Sequence, residues 1–218
     1  MVTRKEQKLA RKPLPEPKPM LPNESRRLRA DARRNYDKLI EVAAQAFASH
    51  GTAASLEDIA RRADVGIGTL YRHFPSREHL VEAVYHHEVE ALCDAAEELS
   101  RERPPDEALE EWMHRFVGYI ATKRGMADSL RILFNSNSKL FADSYGKVPV
   151  VLASLIDRAV AAGAIRTDVD STDVLQALSG TYSMPDSPEW YDRSRRLVRL
   201  LMDGLRWGAL KTPGSQRT

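Results

Sequence analysis

Residues 55–74 read SLEDIARRADVGIGTLYRHF. Ser55 is a residue type that caps helix N-termini, and Leu56, Ile59, Ala60 and Ala63 follow it as one apolar stripe at helical spacing. The periodicity breaks at Ala63-Asp64-Val65-Gly66, where Asp64 suits a left-handed turn and Gly66 suits the start of a new helix. The spacing therefore predicts two short helices, over about 56–63 and 67–73, joined by a tight turn. Such a pair presents its second helix to the major groove of a DNA duplex. Ile67, Leu70 and Phe74 are expected to pin that second helix to the core, leaving Thr69, Tyr71, Arg72 and His73 facing outward. Those four carry short or planar hydrogen-bonding groups that match phosphates and base edges. No catalytic task suggests itself for them.

Helical spacing continues on both sides. Tyr36, Leu39, Ile40, Ala43, Ala46 and Phe47 predict a helix from about Ala30 to His50, ended by Gly51 as a left-handed cap. Ser76 is placed to cap a long helix running to about 101, and Pro104-Pro105 breaks the chain after it. Further helices are predicted over about 106–124, 126–134, 138–144, 148–162 (closed by Gly163), 170–182 and 189–208. The last two are separated by Met184-Pro185-Asp186-Ser187-Pro188. No segment alternates with period two for long enough to argue a strand, so the fold class is all-α. Ahead of the helices, Pro13, Pro15, Pro17, Pro19 and Pro22 point to an extended, solvated segment over residues 1 to about 25. Arg26, Arg27 and Arg29 follow it. Two readings of these arginines stay open: an arm reaching the minor groove or flanking phosphates, and a solvated linker.

The chain has 218 residues, 42% of them hydrophobic, enough to bury a large core. No apolar run nears the roughly 20 residues that span a bilayer, and the basic start MVTRKEQKLARK lacks the apolar stretch of a secretory signal. Cys93, the single cysteine, rules out an intramolecular disulfide framework and fits a reducing compartment. A soluble cytoplasmic protein with no membrane partner is expected. The net charge of +2 is unevenly spread. Residues 1–80 hold 16 Lys/Arg and 10 Asp/Glu, whereas residues 81–218 hold 17 and 21. A basic amino-terminal part is what an electrostatic DNA footprint would produce. Residues 1–30, with nine basic and three acidic side chains, account for the whole excess, so the asymmetry bears on DNA only if that segment takes part.

Together these residues resemble the TetR family of bacterial transcriptional repressors. The resemblance covers about residues 33–85: Ala46-Phe47 with Gly51, then Ile59-Ala60, then Gly68-Thr69-Leu70-Tyr71 with His73-Phe74, then Ser76-Arg77-Glu78 with Leu80. The remainder is similar to the family's general helical plan, with Leu200-Leu201, Asp203-Gly204 and Leu205-Arg206 in the last helix. The resemblance implies a three-helix DNA-binding head over 30–77, with its helix-turn-helix at 55–74. It also implies a larger helical effector-binding and dimerisation domain over 78–210, between a basic, proline-rich, disordered arm (1–29) and a short tail (211–218).

By position, the resemblance puts Thr69 and Arg72 at bases and phosphates, and Tyr71 and His73 at the DNA backbone. Ser55 and Gly66 flank this surface, and Arg77 replaces a more usual Lys where a planar fork could clamp phosphate. The family's turn usually reads Ala-Gly-Val, and here Asp64 holds the glycine place. Its recognition helix usually starts with a polar residue, and here Gly66 and the apolar Ile67 stand there.

One such head offers few base contacts, whereas a specific site demands roughly 4–10 kcal/mol of discrimination over random DNA. A homodimer on a near-palindromic operator in double-stranded DNA is therefore expected. Trp190, Leu197, Leu200, Leu201 and Leu205 recur at three- and four-residue steps and are the expected dimer interface. The resemblance also implies a pocket for an unknown small-molecule effector. His87, Trp112, Met113, Phe116, Tyr119, Phe134, Phe141 and Tyr145 are its candidate walls; each also reads as plain core packing. His79, Glu82, His86, Glu90 and Cys93 share a helix face at a spacing compatible with metal, but the pattern equally describes a solvated face, and no metal or cofactor is assigned. No phosphate loop, nucleophile elbow or paired-His motif occurs, so an enzyme is not expected. The alternative to a ligand-released repressor is an all-helical small-molecule-binding protein without specific DNA recognition.

Overall fold

The computed structural model describes residues 22–136 and 146–207. All regular structure among them is helical: α1 (Pro22–His50), α2 (Leu56–Arg62), α3 (Ile67–His73), α4 (Arg77–Glu102), α5 (Pro105–Gly125), α6 (Ala127–Ser136), α7 (Lys147–Ala161), α8 (Ser171–Ser179) and α9 (Trp190–Arg206). Short 3-10 turns, Gly51–Ala53 and Gly180–Ser183, follow α1 and α8. The helix expected over 138–144 lies outside the described residues. No described helix is long and apolar enough to cross a membrane.

The chain divides after Arg34 into two compact units. In the first, α1 begins at Pro22 rather than near Ala30, which corrects the extended reading of residues 22–25. Proline is tolerated in a helix's first turn, where its missing N–H had no partner, and the Glu, Arg and Leu residues that follow are good helix formers. Arg34 pairs with Asp31 within this unit.

In the second unit, Ser55 Oγ accepts the Asp58 N–H at 3.0 Å and starts α2. The other end of α2 closes by two backbone bonds: Val65 N–H donates to Ala60 O at 3.0 Å, and Asp64 N–H to Arg61 O at 3.1 Å. That pairing requires a left-handed residue between the helices. Asp64 supplies it at φ 56°, and among the described residues no other non-glycine has a positive φ. Gly163, at φ 66°, closes α7 by the same pair of bonds. Leu70 and Phe74 anchor α3, at 0% and 2% exposure. Ile67 does not. It is 39% exposed, because a side chain in the first turn leans toward the helix N-terminus and so projects past the packed part of α3.

Helix α5 is the centre of the larger core. It packs on α4, α7 and α9 and buries Leu109, Trp112, Met113, Phe116 and Ile120. The Trp112 indole N–H donates to Leu92 O at 2.9 Å and ties α5 to α4. Arg206 holds α9 to α5 through Asp106 and Glu110, each at 2.8 Å. At the C-terminal turn of α5, Arg124 Nη1 donates to the carbonyls of Tyr182 and Met184, and its guanidinium lies 4.9 Å from the Trp190 ring. The next residue, Gly125, abuts the end of α1 so closely that a methyl group there would overlap the Phe47 carbonyl and stand 3.2 Å from Gly51 Cα.

That contact yields a stability prediction. Gly125→Ala is expected to cost about 1–3 kcal/mol through overpacking against backbone. Gly118→Ala in the same helix, where a methyl meets no atom within 4 Å, is expected to gain about 0.5–1 kcal/mol. Urea unfolding of the two variants checks this, and equal effects would contradict the close contact.

Candidate functional site

Three surfaces carry the residues singled out by sequence. The first is α3, which Gly66 starts as N-cap, its carbonyl accepting the Thr69 N–H at 2.8 Å. Tyr71 and Arg72 stand exposed, Tyr71 at 45%. Thr69 and His73 are only half-buried rather than fully outward. The His73 ring meets the edge of Tyr36 at 5.9 Å between centroids, so its body packs within the head. Ser55 and Gly66 are exposed at either end of the motif.

Arg77 is differently placed. Its Nη1 donates to Ala54 O at 2.6 Å and its guanidinium lies 5.2 Å from the Phe47 ring, which fastens the start of α4 to the head. Arg26 is exposed on α1, and the side chains of Arg27 and Arg29 lie outside the described residues.

Two glycines distinguish the α3 surface. A methyl built on Gly66 or Gly68 would meet nothing within 4 Å. Gly68 lies inside the helix, where glycine costs roughly 1 kcal/mol relative to alanine, yet no neighbour within the chain requires it. The exposed apolar Ile67 sits between the two. This part of α3 is bare backbone plus one aliphatic side chain, a shape that lets another large surface come close.

The second surface is a cleft of about 280 Å³ among α5, α7 and α8. Phe116 and Tyr119 of the expected walls line it, together with Ile120, Lys123, Val148 and Tyr182. Trp112 and Met113 do not: both are fully buried in the core. His87 is exposed on α4, Phe134 is 36% exposed on α6, and Phe141 and Tyr145 lie outside the described residues. Lys123 brings a cation to this cleft, with Nζ 5.8 Å from the Tyr119 ring centroid and 5.6 Å from that of Tyr182. Burial pushes its pKa below the ordinary lysine value. Lys123 is not among the residues singled out by sequence, which named aromatic, Met and His side chains as the walls. Its place one turn after Tyr119 on a largely apolar helix was the available signal.

The third surface is the outer side of α9. Leu197 and Leu200 are 42% and 67% exposed and Leu201 is half-buried. Trp190 and Leu205 are instead buried within the chain, at 6% each, and the Trp190 indole donates to Thr181 O at 2.9 Å. Helix α9 is apolar on two sides, so sequence spacing merged its inner row (Trp190, Val198, Met202, Leu205) with the outer one. The outer leucines border a depression of about 540 Å³ between α8 and α9.

Elsewhere, His79 Nδ1 lies 2.9 Å from Ser76 Oγ, and no group of three or more metal-capable side chains converges among the described residues. Burial pushes the Cys93 thiol up, away from the reactive thiolate.

Comparisons with known proteins match both halves of the chain. Residues 39–84 match the family model described as bacterial regulatory proteins, tetR family, and residues 104–207 match that of the C-terminal domain of SbtR-like transcriptional regulators. The crystal structure of the TetR transcriptional regulator SCO0520 from Streptomyces coelicolor is 45% identical, with a TM-score of 0.71 over 78% of this chain and 97% of that one. The TetR transcription regulatory protein from Mycobacterium vanbaalenii is 35% identical, with a TM-score of 0.65 over 82% of this chain and 99% of that one. The HTH-type transcriptional repressor KstR from Rhodococcus jostii is 31% identical over 149 residues, which are 67% of this chain and 66% of that protein.

The bare turn of α3 makes a prediction by itself. Gly68→Ala is expected to raise the free energy of unfolding by about 0.5–1 kcal/mol, since helix propensity improves and nothing is struck. Thermal or urea unfolding measures this, and a loss of stability would show a hidden packing role.

Proposed function

Because the chain belongs to the TetR family of bacterial transcriptional regulators, we propose that it is a homodimeric repressor that docks α3 in successive major grooves and is released by a small molecule. The observation that carries this reading is the α3 surface: Gly66 and Gly68 without neighbours, Ile67 exposed between them, then Tyr71 and Arg72. A first turn without side chains at Gly66 and Gly68 can approach the sugar–phosphate backbone closely. Arg72 can then reach a base edge or a phosphate, and Tyr71 a phosphate oxygen. Ser55 and Thr69 add short donors beside them. Arg77 acts in this reading by holding the head together, and its fork serves phosphate only from that fixed position. Residues 30–77 form the reading head and 78–210 the effector and dimer domain.

The outer leucines of α9 support the dimer. Leu197, Leu200 and Leu201 form an apolar strip on one helix face, and a twofold axis lets two such strips cover each other. Pairing the heads doubles the base contacts on a palindromic site with half-sites one helical turn or a multiple apart.

The cleft supports the release step. Its wall residues Phe116, Tyr119, Ile120 and Lys123 lie on α5, whose last residue rests on the end of α1. A guest that displaces α5 therefore moves the base of the head. Release needs only that the guest bind better when the heads are wrongly spaced for the operator.

Binding measured against salt tests the reading. The wild-type chain is expected to prefer its operator over random DNA by at least a thousandfold, with log affinity falling steeply against log salt. Arg72→Ala is expected to cost about 1–3 kcal/mol of operator binding, and Gly68→Ala to weaken binding while it stabilises the fold. A flat salt dependence and equal affinity for all sequences would leave an all-helical ligand-binding protein instead. Separately, Leu200→Glu is expected to shift sedimentation from dimer to monomer and to abolish tight operator binding; an unchanged dimer would move the interface elsewhere.

A further inference from the structure

The cleft among α5, α7 and α8 is apolar on most sides: Phe116, Tyr119, Ile120 and Val148 supply hydrocarbon and ring faces. At about 280 Å³ it stands at the lower edge of the size range for small-molecule pockets, which favours a compact guest. Among the described residues that line it, the charged one is Lys123, one turn beyond Tyr119 on α5, with its ammonium near the rings of Tyr119 and Tyr182. Ring faces hold a cation through their quadrupole, which orients it without accepting a directed hydrogen bond. An ammonium carries three N–H donors. Engagement by rings, or by any further group, leaves it able to turn a donor toward a guest.

An ordinary hydrocarbon cleft with no electrostatic preference would be better served by Leu or Met at 123. A lysine there is half-buried, and partial desolvation disfavours its charged form. An anion entering the cleft reverses that cost, because a charge-assisted hydrogen bond in low dielectric is among the stronger polar contacts. We propose that this cleft takes a small apolar acid, its carboxylate on Lys123 Nζ and its hydrocarbon part among Phe116, Tyr119, Ile120 and Tyr182. This assignment rests on the cleft being the effector site and adds the chemical class of the effector.

The class also couples ligand to architecture. Tyr182 lines the cleft with its ring and accepts the Arg124 guanidinium with its carbonyl. Lys123, Arg124 and Gly125 are consecutive, so an acid drawn to Lys123 acts beside both the clamp on α9 and the seat of α1.

The test uses the full chain and matched acid–alcohol pairs: hexanoate to decanoate against the corresponding alcohols, and 4-phenylbutyrate against 4-phenylbutan-1-ol, followed by calorimetry. At least one acid is expected to bind tenfold or more tighter than its alcohol. That advantage is expected to shrink as pH rises and Lys123 loses its proton early. Lys123→Met is expected to equalise the pair while still binding the alcohol, and Lys123→Arg to keep the preference. Melting temperature reports folding: Lys123→Met should melt no lower than wild type, since an apolar group replaces a partly desolvated cation of similar length. Alcohols binding as tightly as acids would overturn the acid assignment while leaving the effector cleft intact. No binding by any member of either series at millimolar concentration would overturn both.

Discussion

A carbonyl oxygen and a missing side chain fix this molecule: the C-terminal end of α5 reaches the C-terminal end of α1 only because residue 125 is glycine. With any Cβ there, the Phe47 carbonyl would have to move, and Phe47 is a fully buried residue of the head. The same oxygen-to-backbone seating places Gly51, at φ 57°, where the chain turns toward α2. At this point the head meets the body's central helix through backbone, in addition to the apolar core that the two share. Packed backbone transmits displacement with little slack, and this close approach is the physical basis for the release step proposed above.

Around that seat the polar contacts fall into order. Arg124 gathers the segment between α8 and α9 onto α5 through two carbonyls and the Trp190 ring, while Arg206 and its two carboxylates fasten the far end of α9 to the start of α5. Arg77 fastens α4 to the head through Ala54 O. The Arg124 and Arg206 guanidiniums each make several directed contacts in a fixed fork, which a lysine cannot reproduce. The body is a helical frame whose joints are arginines, and its outlets are the bare turn of α3, the cleft at Lys123 and the leucine face of α9.

Much of this was legible in sequence where one residue type serves one local geometry. Asp64, Gly51 and Gly163 announced left-handed helix ends, Ser55 announced a cap, and apolar spacing marked the helices. Reading failed where two faces of a helix share a composition. Helix α9 buries one apolar row and exposes another, so Trp190 and Leu205 were grouped with Leu197 and Leu200. Aromatic residues at helical spacing could not declare whether they fill the core, as Trp112 does, or border a cleft, as Phe116 and Tyr119 do, because both environments are apolar. Ile67 looked like an anchor by spacing alone, and only its position in the first turn explains its exposure. The end contact of Gly125 depends on residues far apart in the chain, and no local pattern carries it.

Everything proposed for this chain requires the α3 turn between Gly66 and Arg72 to meet the DNA backbone. Photocrosslinking tests it most directly. A benzoylphenylalanine is placed at position 71 or, in a second protein, at position 200, and each is irradiated with a duplex selected by the wild-type chain. DNA adducts are expected from position 71 and protein–protein adducts from position 200. DNA adducts from position 200 with none from position 71 would contradict it.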